Sequence, residues 1–340
     1  MERIECPKIS VVTPLYNASK TIKKTMLSVL GQTFKEFEFI IVDDGSTDDS
    51  VSIVKSFDDA RVVLLHQKNS GASAARNYGI RTARADVIAF IDSDDLWHPN
   101  RLEHDYELFV NSEFDEKVLL TNFYMMNPDY EIVHFPPEQN FHGLLREVKY
   151  FHPYFYNPGA SMMNKSVIEK VGYFNDKSVH HEDYEFALRL IDNFPFIYSK
   201  ERLFYYLYDM NSKSKRSFDE YDYSKSHLAI LDKFFEATKN EYSQEFIEQV
   251  REQCLRTQIF SLLSLKNNIK DSKKLYEEEL HNKKAFACSA RGLCSILSFV
   301  LGINLVLFSR LVIQNLYRLY FKYIKRIRIN DQMKELFEED

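Results

Sequence analysis

Residues 39–48 read Phe39-Ile40-Ile41-Val42-Asp43-Asp44-Gly45-Ser46-Thr47-Asp48, an apolar run that ends abruptly in acids and turn-forming residues. The apolar half has the length and β-branched content of a buried strand, and Asp-Gly is a frequent turn pair. Similar apolar runs occupy Ile9–Thr13, Val62–His66 and Val87–Ile91. The pattern therefore predicts four strands within the first hundred residues.

Stretches of helical periodicity separate these strands, at Lys20–Leu30, Asp48–Phe57 and Ala72–Thr82. Strands that alternate with helices are typical of βαβ units and of a largely parallel sheet. From about residue 118 to 210 the pattern is less regular. Strand-like runs there are Val118–Met125, Ser161–Asn164 and Leu203–Tyr208, with a helix that starts near Glu182. The sequence therefore predicts an α/β domain over residues 1–220.

The composition favours a folded protein in a reducing compartment. The chain has 340 residues, of which 45% are hydrophobic and 14% aromatic, enough to bury a substantial core. The four cysteines form no CxxC pair and no metal-ligand spacing, and no cleavable signal peptide precedes the first strand. These features predict a cytoplasmic protein.

The net charge of −6 is unevenly distributed along the chain. Residues 281–330 carry nine Lys or Arg and no acid, whereas residues 331–340 carry one Lys and five acids, so residues 1–280 have a net charge of −11. An acidic body argues against nucleic acid as a partner. The basic, apolar tail instead favours an anionic surface as its partner.

The tail has the features of a membrane-associating segment. Gly292–Ser309 is uncharged and nearly long enough to span a bilayer, but basic residues on both sides disfavour a simple crossing. In the following segment, Gln314, Arg318, Lys322 and Lys325 share one helical face opposite apolar residues, as in a helix lying in the membrane interface. We predict polar helices over 221–284, then membrane-associating helices over 285–340, peripheral on the inner face of the cell membrane. A buried helix pair or an oligomer contact is the alternative.

Acidic residues directly follow the fourth predicted strand, as Asp92-Ser93-Asp94-Asp95. Open parallel sheets bind ligands at the carboxyl ends of their strands. A hard divalent cation, Mn2+ or Mg2+, held by one or two carboxylates would neutralise a nucleotide diphosphate, and Asp94 is the predicted ligand. The alternative is a solvated strand-to-helix connection in which Asp94 or Asp95 caps the next helix.

The loop after the second strand has two interpretations. Turn chemistry alone explains Asp43–Asp48, with Ser46, Thr47 or Asp48 capping the next helix. Alternatively, a carboxylate of this loop accepts the imide N–H of a uracil ring while Tyr16 stacks on the base.

In these and three further motifs the sequence resembles the family 2 glycosyltransferases, which have the GT-A fold. The residues that carry the resemblance are Val11-Val12-Thr13-Pro14-Leu15-Tyr16-Asn17, Ile41-Val42-Asp43-Asp44-Gly45-Ser46-Thr47-Asp48, Asn69-Ser70-Gly71-Ala72-Ser73-Ala74-Ala75-Arg76-Asn77, Ala89-Phe90-Ile91-Asp92-Ser93-Asp94-Asp95 and His181-Glu182-Asp183. Their order and spacing agree over roughly residues 8–215, and five motifs in register are far more specific than one.

The resemblance implies a function and a set of site residues. The implied reaction is the inverting transfer of one sugar, with UDP as the expected nucleotide of the donor, to a glycan or lipid-linked acceptor in bacterial surface-polysaccharide assembly. The base would be held by Pro14, Tyr16, Asp43 and Asp44, with Arg76 near the base or phosphates, Asp92 and Asp94 as the DxD element for ribose and metal, and Asp183 as the catalytic base. Locally, Glu182-Asp183 is also explained as an acidic helix N-terminus.

The sequence departs from the family pattern in two places. Many relatives have a Tyr-Arg pair after the base helix, whereas this chain has Tyr206-Leu207, with Lys213, Lys215 or Arg216 as candidate phosphate partners. The QxxRW motif of polymerising relatives is missing, and the only tryptophan, Trp97, is interpreted as packing. We therefore expect addition of a single sugar. A sugar nucleotidyltransferase or a non-catalytic membrane-bound scaffold are the alternatives, although Pro14-Leu15-Tyr16-Asn17 is not the Gly-rich loop that the former needs.

Overall fold

The computed structural model describes residues 5–134, 156–177, 181–208, 220–238 and 242–248, together with 250–251, 254–255, 258 and 274–275. The described residues up to 208 belong to one compact unit and those from 220 onward to a second. The tail over 285–340 and the basic residues at 213, 215 and 216 lie outside these ranges. Among the residues that the structure describes, no helix has the length and hydrophobicity needed to cross a bilayer.

The four strands predicted for the first hundred residues are confirmed. The strands are β1 (Ile9–Leu15), β2 (Phe37–Asp43), β3 (Val62–His66), β4 (Val87–Phe90), β5 (Leu96–Trp97), β6 (Val118–Met126), β7 (Ile132–His134), β8 (Ser161–Asn164) and β9 (Phe196–Leu207). All nine belong to one sheet in the described part of the chain. Strand β9 starts seven residues before the predicted run, because polar residues at 200–202 interrupt its apolar pattern.

The helices alternate with the strands of the first half, as predicted. They are α1 (Ile22–Leu30), α2 (Ser50–Lys55), α3 (Ala72–Thr82), α4 (Arg101–Val110), α5 (Lys165–Val171), α6 (Glu182–Asn193) and α7 (Glu220–Ala237), with a short 3-10 helix at Pro158–Ala160. Helix α2 is two residues shorter at each end than predicted, and at its start the Asp48 carboxylate accepts the backbone N–H of Ser50.

The sheet is parallel in its first half and mixed in its second. The strand order is β3-β2-β1-β4-β8-β6-β9-β5, and β7 pairs with β6. Strands β3, β2, β1 and β4 are mutually parallel, and β8 runs antiparallel to β4. In register, Leu15 pairs with Asp43 and Asp43 with His66. The polar residues after these strands therefore meet at one edge of the sheet.

The core packs helices against the parallel strands. Every residue of β1 and β2 is buried. Helix α3 approaches β1 closely because Gly79 has no side chain; a Cβ there would lie 2.5 Å from Cγ1 of Val12. In the second unit, α7 buries Leu228 and Leu231, and Arg251 pairs with Asp232 at 2.7 Å.

Candidate functional site

The loops after β1 and β2 are joined by hydrogen bonds. Asn17 adopts a left-handed backbone conformation with φ of 49°, and its Oδ1 accepts the backbone N–H of Thr47 at 2.8 Å. In return, the Asn17 N–H donates to Ser46 Oγ at 3.1 Å. Pro14 is buried in β1 opposite Val42, whereas Tyr16 is 47% exposed. These two hydrogen-bonded loops, called the cross-linked loops below, therefore present the Tyr16 ring to solvent at the carboxyl edge of the sheet.

Asp44 anchors the segment that opens helix α3. Its buried carboxylate accepts hydrogen bonds from Gln67 Nε2 at 2.7 Å and from the backbone N–H groups of Ser70 and Gly71, both at 2.8 Å. Gly71 has a φ of 91°, a conformation that favours glycine. The carboxylate predicted to hold a base is therefore also a fixed part of the scaffold.

Asp43 lies beside Asp44 but has a different set of partners. It accepts the backbone N–H of Ser46 at 3.0 Å and lies 3.1 Å from Nδ1 of His66. Burial raises the pKa of Asp43, but the hydrogen bonds from Ser46 and His66 outweigh that effect and the pKa is lowered overall. Asp43 is therefore ionised at neutral pH.

The acidic loop, residues Asp92–Asp95, is held in a fixed turn. The backbone N–H of Asp95 donates to the Asp92 carbonyl at 3.2 Å, and Thr21 donates to the Ser93 carbonyl at 2.9 Å. The loop leads into β5, and the next helix begins only at Arg101. The alternative in which Asp94 or Asp95 caps the following helix is therefore wrong.

The three acids of this loop have very different surroundings. Asp94 is exposed, Asp92 is half-buried and Asp95 is fully buried. Oδ1 of Asp95 accepts the backbone N–H of Leu207 at 2.8 Å, whereas Oδ2 has no hydrogen-bond partner within the described residues. Burial, followed by the neighbouring Asp94 and Asp92, raises the pKa of Asp95 well above its usual value.

A buried arginine, Arg101, packs against two aromatic rings just after the acidic loop. The Arg101 guanidinium lies 4.2 Å from the ring centroid of Trp97 and 5.3 Å from that of Phe204. Its Nη1 donates to the Gly159 carbonyl at 2.7 Å. The interpretation of Trp97 as a packing residue is confirmed, since its side chain is fully buried.

Arg76 connects the acidic loop with helix α6. It is buried on α3, and its Nη2 donates to Oδ1 of Asp92 at 2.6 Å while Nη1 lies 3.9 Å from Oε1 of Glu182. Burial lowers the pKa of Arg76, but Asp92 and then Glu182 raise it by more, so the guanidinium stays charged. This cation therefore lies between the predicted metal loop and the predicted base helix.

Asp183 is the second residue of α6 and is half-buried. Burial, followed by the adjacent Glu182 carboxylate, raises its pKa to about 6. Glu185, the third acid of this helical turn, is held by Arg189 through two hydrogen bonds of 2.8 and 2.9 Å. Asp183 therefore has a pKa suited to accepting a proton near neutral pH.

The carboxylates of Asp92 and Asp94 suit a cation that takes most of its ligands from phosphate and water. Within the described ranges, no group of three or more His, Cys, Asp or Glu side chains is arranged to hold a metal ion. Mg2+ and similar hard cations bind through one or two carboxylates, with phosphate oxygens and water completing the coordination. Asp94, exposed, and Asp92, reachable at the oxygen that Arg76 leaves open, fit that pattern.

Tyr206 is a site residue to which the sequence analysis gave no role. Burial raises its pKa, and so do the carboxylates of Asp95, Asp94, Asp92 and Asp183 in turn, which places its phenol within electrostatic range of all four. The pairing of β5 with β9 that brings Tyr206 near the acidic loop involves only two residues of each strand, and no local sequence pattern indicates it.

Comparison with known proteins identifies the family. The model of "Glycosyl transferase family 2" matches residues 10–172. Glycosyltransferase GlyG of Streptococcus pneumoniae serotype 4 is 30% identical over 203 residues, covering 54% of this chain and 67% of the relative. The uncharacterized glycosyltransferase RT0329 of Rickettsia typhi is 24% identical over 189 residues, covering 54% of this chain and 59% of that protein.

Solved structures show the same fold. S. aureus TarS 1-349 in complex with UDP-GlcNAc has a TM-score of 0.61 at 21% identity, covering 79% of this chain and 81% of that one. The mannosyltransferase PcManGT from Pyrobaculum calidifontis, in complex with GDP-Man and Mn2+, has a TM-score of 0.54 at 13% identity, covering 94% and 85%. These likenesses establish a GT-A-like mixed α/β sheet. The sequence matches show more: the chain belongs to glycosyl transferase family 2.

Proposed function

We propose that the protein transfers one sugar from a nucleotide diphosphate donor to an acceptor hydroxyl, with inversion at the anomeric carbon. The observation that carries this proposal is the placement of Arg76 between Asp92 and Glu182, the residue next to Asp183. The carboxylates of Asp92 and Asp94 are thus available to hold a cation for the leaving diphosphate, and that of Asp183 to accept the proton of the attacking hydroxyl. Family membership and the nucleotide sugars bound by TarS and PcManGT support the same reaction class.

Recognition of the donor base is assigned to the cross-linked loops. The exposed Tyr16 ring offers a face on which a base stacks, and Pro14 shapes the strand end beside it. Oδ2 of Asp44 accepts one hydrogen bond, from Gly71, and a carboxylate oxygen has room for a second. Asp44, with Asp43 beside it, is therefore the proposed acceptor for the imide N–H of uracil, and UDP the proposed nucleotide.

Binding of the diphosphate is assigned to Asp94 and Asp92. These residues would hold Mn2+ or Mg2+, which neutralises charge that develops on the leaving diphosphate. Arg76 keeps Asp92 in place through the 2.6 Å hydrogen bond and adds a fixed positive charge. That guanidinium is buried and charged, so its positive charge is in place before any ligand arrives.

Proton removal is assigned to Asp183. With a pKa of about 6, its carboxylate is ionised at neutral pH and basic enough to accept the proton of an acceptor hydroxyl. The hydroxyl oxygen forms the new bond to the anomeric carbon as the bond to the diphosphate breaks on the opposite side. A single in-line displacement inverts the configuration and needs no covalent intermediate with the enzyme.

The acceptor and the location are inferred from the chain outside the described residues. The basic, acid-free stretch over residues 281–330 favours the inner face of a cell membrane, and a glycan or lipid-linked acceptor of surface-polysaccharide assembly would be found there. Truncation before about residue 285 should release the protein from anionic vesicles, and unchanged vesicle binding would contradict the membrane assignment.

A panel of UDP-, GDP- and dTDP-sugars tests the proposed function. Calorimetry with Mn2+ should show binding of one nucleotide class, and incubation should release the nucleoside diphosphate. Formation of a sugar nucleotide from a nucleoside triphosphate and a sugar phosphate would instead indicate a nucleotidyltransferase. A protein that binds none of the panel would be a scaffold that keeps the fold without the activity.

A further inference from the structure

Two successive tyrosines at the end of β9 have different surroundings. The ring of Tyr205 stacks on that of Tyr124 at 5.7 Å and belongs to a small apolar cluster with Leu96 and Met126. The ring of Tyr206 packs instead against Phe123, at 6.3 Å and nearly perpendicular, at the margin of the main core. Successive residues of a strand point to opposite faces of the sheet, so Tyr205 can serve as a control for Tyr206.

The position of Tyr206 is fixed by the residues on either side of its strand. The next backbone N–H, that of Leu207, donates to the fully buried Asp95 at 2.8 Å, and the following one, that of Tyr208, donates to the Met126 carbonyl at 2.7 Å. The end of β9 is thus tied directly to the acidic loop. The Phe123 contact then restricts the direction in which the Tyr206 ring points.

The Tyr206 hydroxyl lies in a strongly acidic region. Asp92, Asp94 and Asp95 on the acidic loop and Asp183 on α6 all act on it electrostatically, and each favours the protonated phenol. Within the described part of the chain, this hydroxyl makes no hydrogen bond. It is therefore a hydrogen-bond donor with no partner among the described residues, on a strand that is tied to the acidic loop.

A ligand oxygen is the natural partner for such a donor. In the proposed reaction the leaving diphosphate lies at Asp92 and Asp94 and the attacking hydroxyl at Asp183, so the reacting carbon lies between them. We propose that the Tyr206 hydroxyl donates a hydrogen bond to an oxygen of the donor's sugar–phosphate linkage, either on the sugar or on the attached phosphate. This inference rests on the proposed function and adds a donor-binding residue to it.

The test compares Tyr206→Phe with Tyr205→Phe, since each change removes one hydroxyl and keeps the ring. Calorimetry with Mn2+ would use UDP-GlcNAc and UDP, or GDP-mannose and GDP if the panel selects guanine. We expect Tyr206→Phe to weaken binding of the nucleotide sugar about tenfold, the scale of one lost hydrogen bond, and Tyr205→Phe to leave it unchanged. An equal loss for the nucleotide alone would assign the contact to phosphate, and no loss for it to the sugar.

Two other outcomes would overturn the inference in distinguishable ways. If the wild type binds nucleotide sugar and Tyr206→Phe binds it as well as Tyr205→Phe does, the hydroxyl has no role in donor binding and only this inference fails. If the wild type binds no nucleotide sugar, the proposed function fails and this inference with it. Thermal denaturation of both variants would separate a loss of folding from a loss of binding.

Discussion

Arg76 and Asp92 are joined by a 2.6 Å hydrogen bond between Nη2 and Oδ1, linking helix α3 to the acidic loop. As a result, the three acids of the loop have different surroundings. Asp92 is paired with a buried cation, Asp95 is buried against β9, and Asp94 is exposed to the solvent. The exposed carboxylate is therefore the one best placed to reach a hydrated cation first.

Replacing Asp94 by Asn should remove metal-dependent donor binding. The amide has no charge with which to attract the cation, and the guanidinium of Arg76 is already engaged by Asp92. Calorimetry with UDP and Mn2+ measures the effect, with Asp86→Asn as the control because Asp86 is an exposed acid at the opposite end of β4. Unchanged affinity in Asp94→Asn would show that the cation is held elsewhere.

The connection between the acidic loop and β9 predicts a difference between two variants of Asp95. Asp95→Asn keeps a carbonyl oxygen for the Leu207 N–H, whereas Asp95→Ala leaves that donor without its partner. An unsatisfied buried donor costs about 1–3 kcal/mol, so the alanine variant should unfold at a clearly lower temperature than the asparagine variant. Equal melting temperatures would mean that the Asp95–Leu207 bond contributes little to stability.

Much of the site could be predicted from the sequence because apolar strands fix where each loop begins. Once β2 and β4 are recognised, Asp43, Asp44 and Asp92 must lie at or just beyond their carboxyl ends, at one edge of a parallel sheet. The helix starting at Glu182 was predictable for a similar reason, since its apolar residues recur at helical spacing. Local periodicity was sufficient for these elements.

The parts that could not be predicted depend on contacts between distant residues. Strand β5 is only two residues long, and it is defined by pairing with β9 more than a hundred residues later. Arg101 looks like a surface residue in the sequence, yet it is buried between the rings of Trp97 and Phe204. Likewise, nothing local distinguishes the buried Asp95 from the exposed Asp94.

The pKa of Asp183 predicts how activity depends on pH. The carboxylate is the active form of a general base, and its pKa is raised to about 6, so kcat/KM should fall as the pH drops through that value. Because the Glu182 carboxylate is, after burial, the largest contributor that raises this pKa, Glu182→Gln should move the acidic limb to lower pH. A pH–rate profile checks both statements. An acidic limb that does not move in Glu182→Gln would assign it to another group.

The central claim is that donor binding and proton removal are performed by different carboxylates, and Asp183→Asn tests it most directly. The variant keeps the size and polarity of the side chain but lacks a base. Calorimetry with the nucleotide sugar and Mn2+ should give nearly wild-type affinity, while turnover with a defined acceptor should fall by roughly 10²-fold or more. Turnover at the wild-type rate would contradict the claim and place the base on another residue.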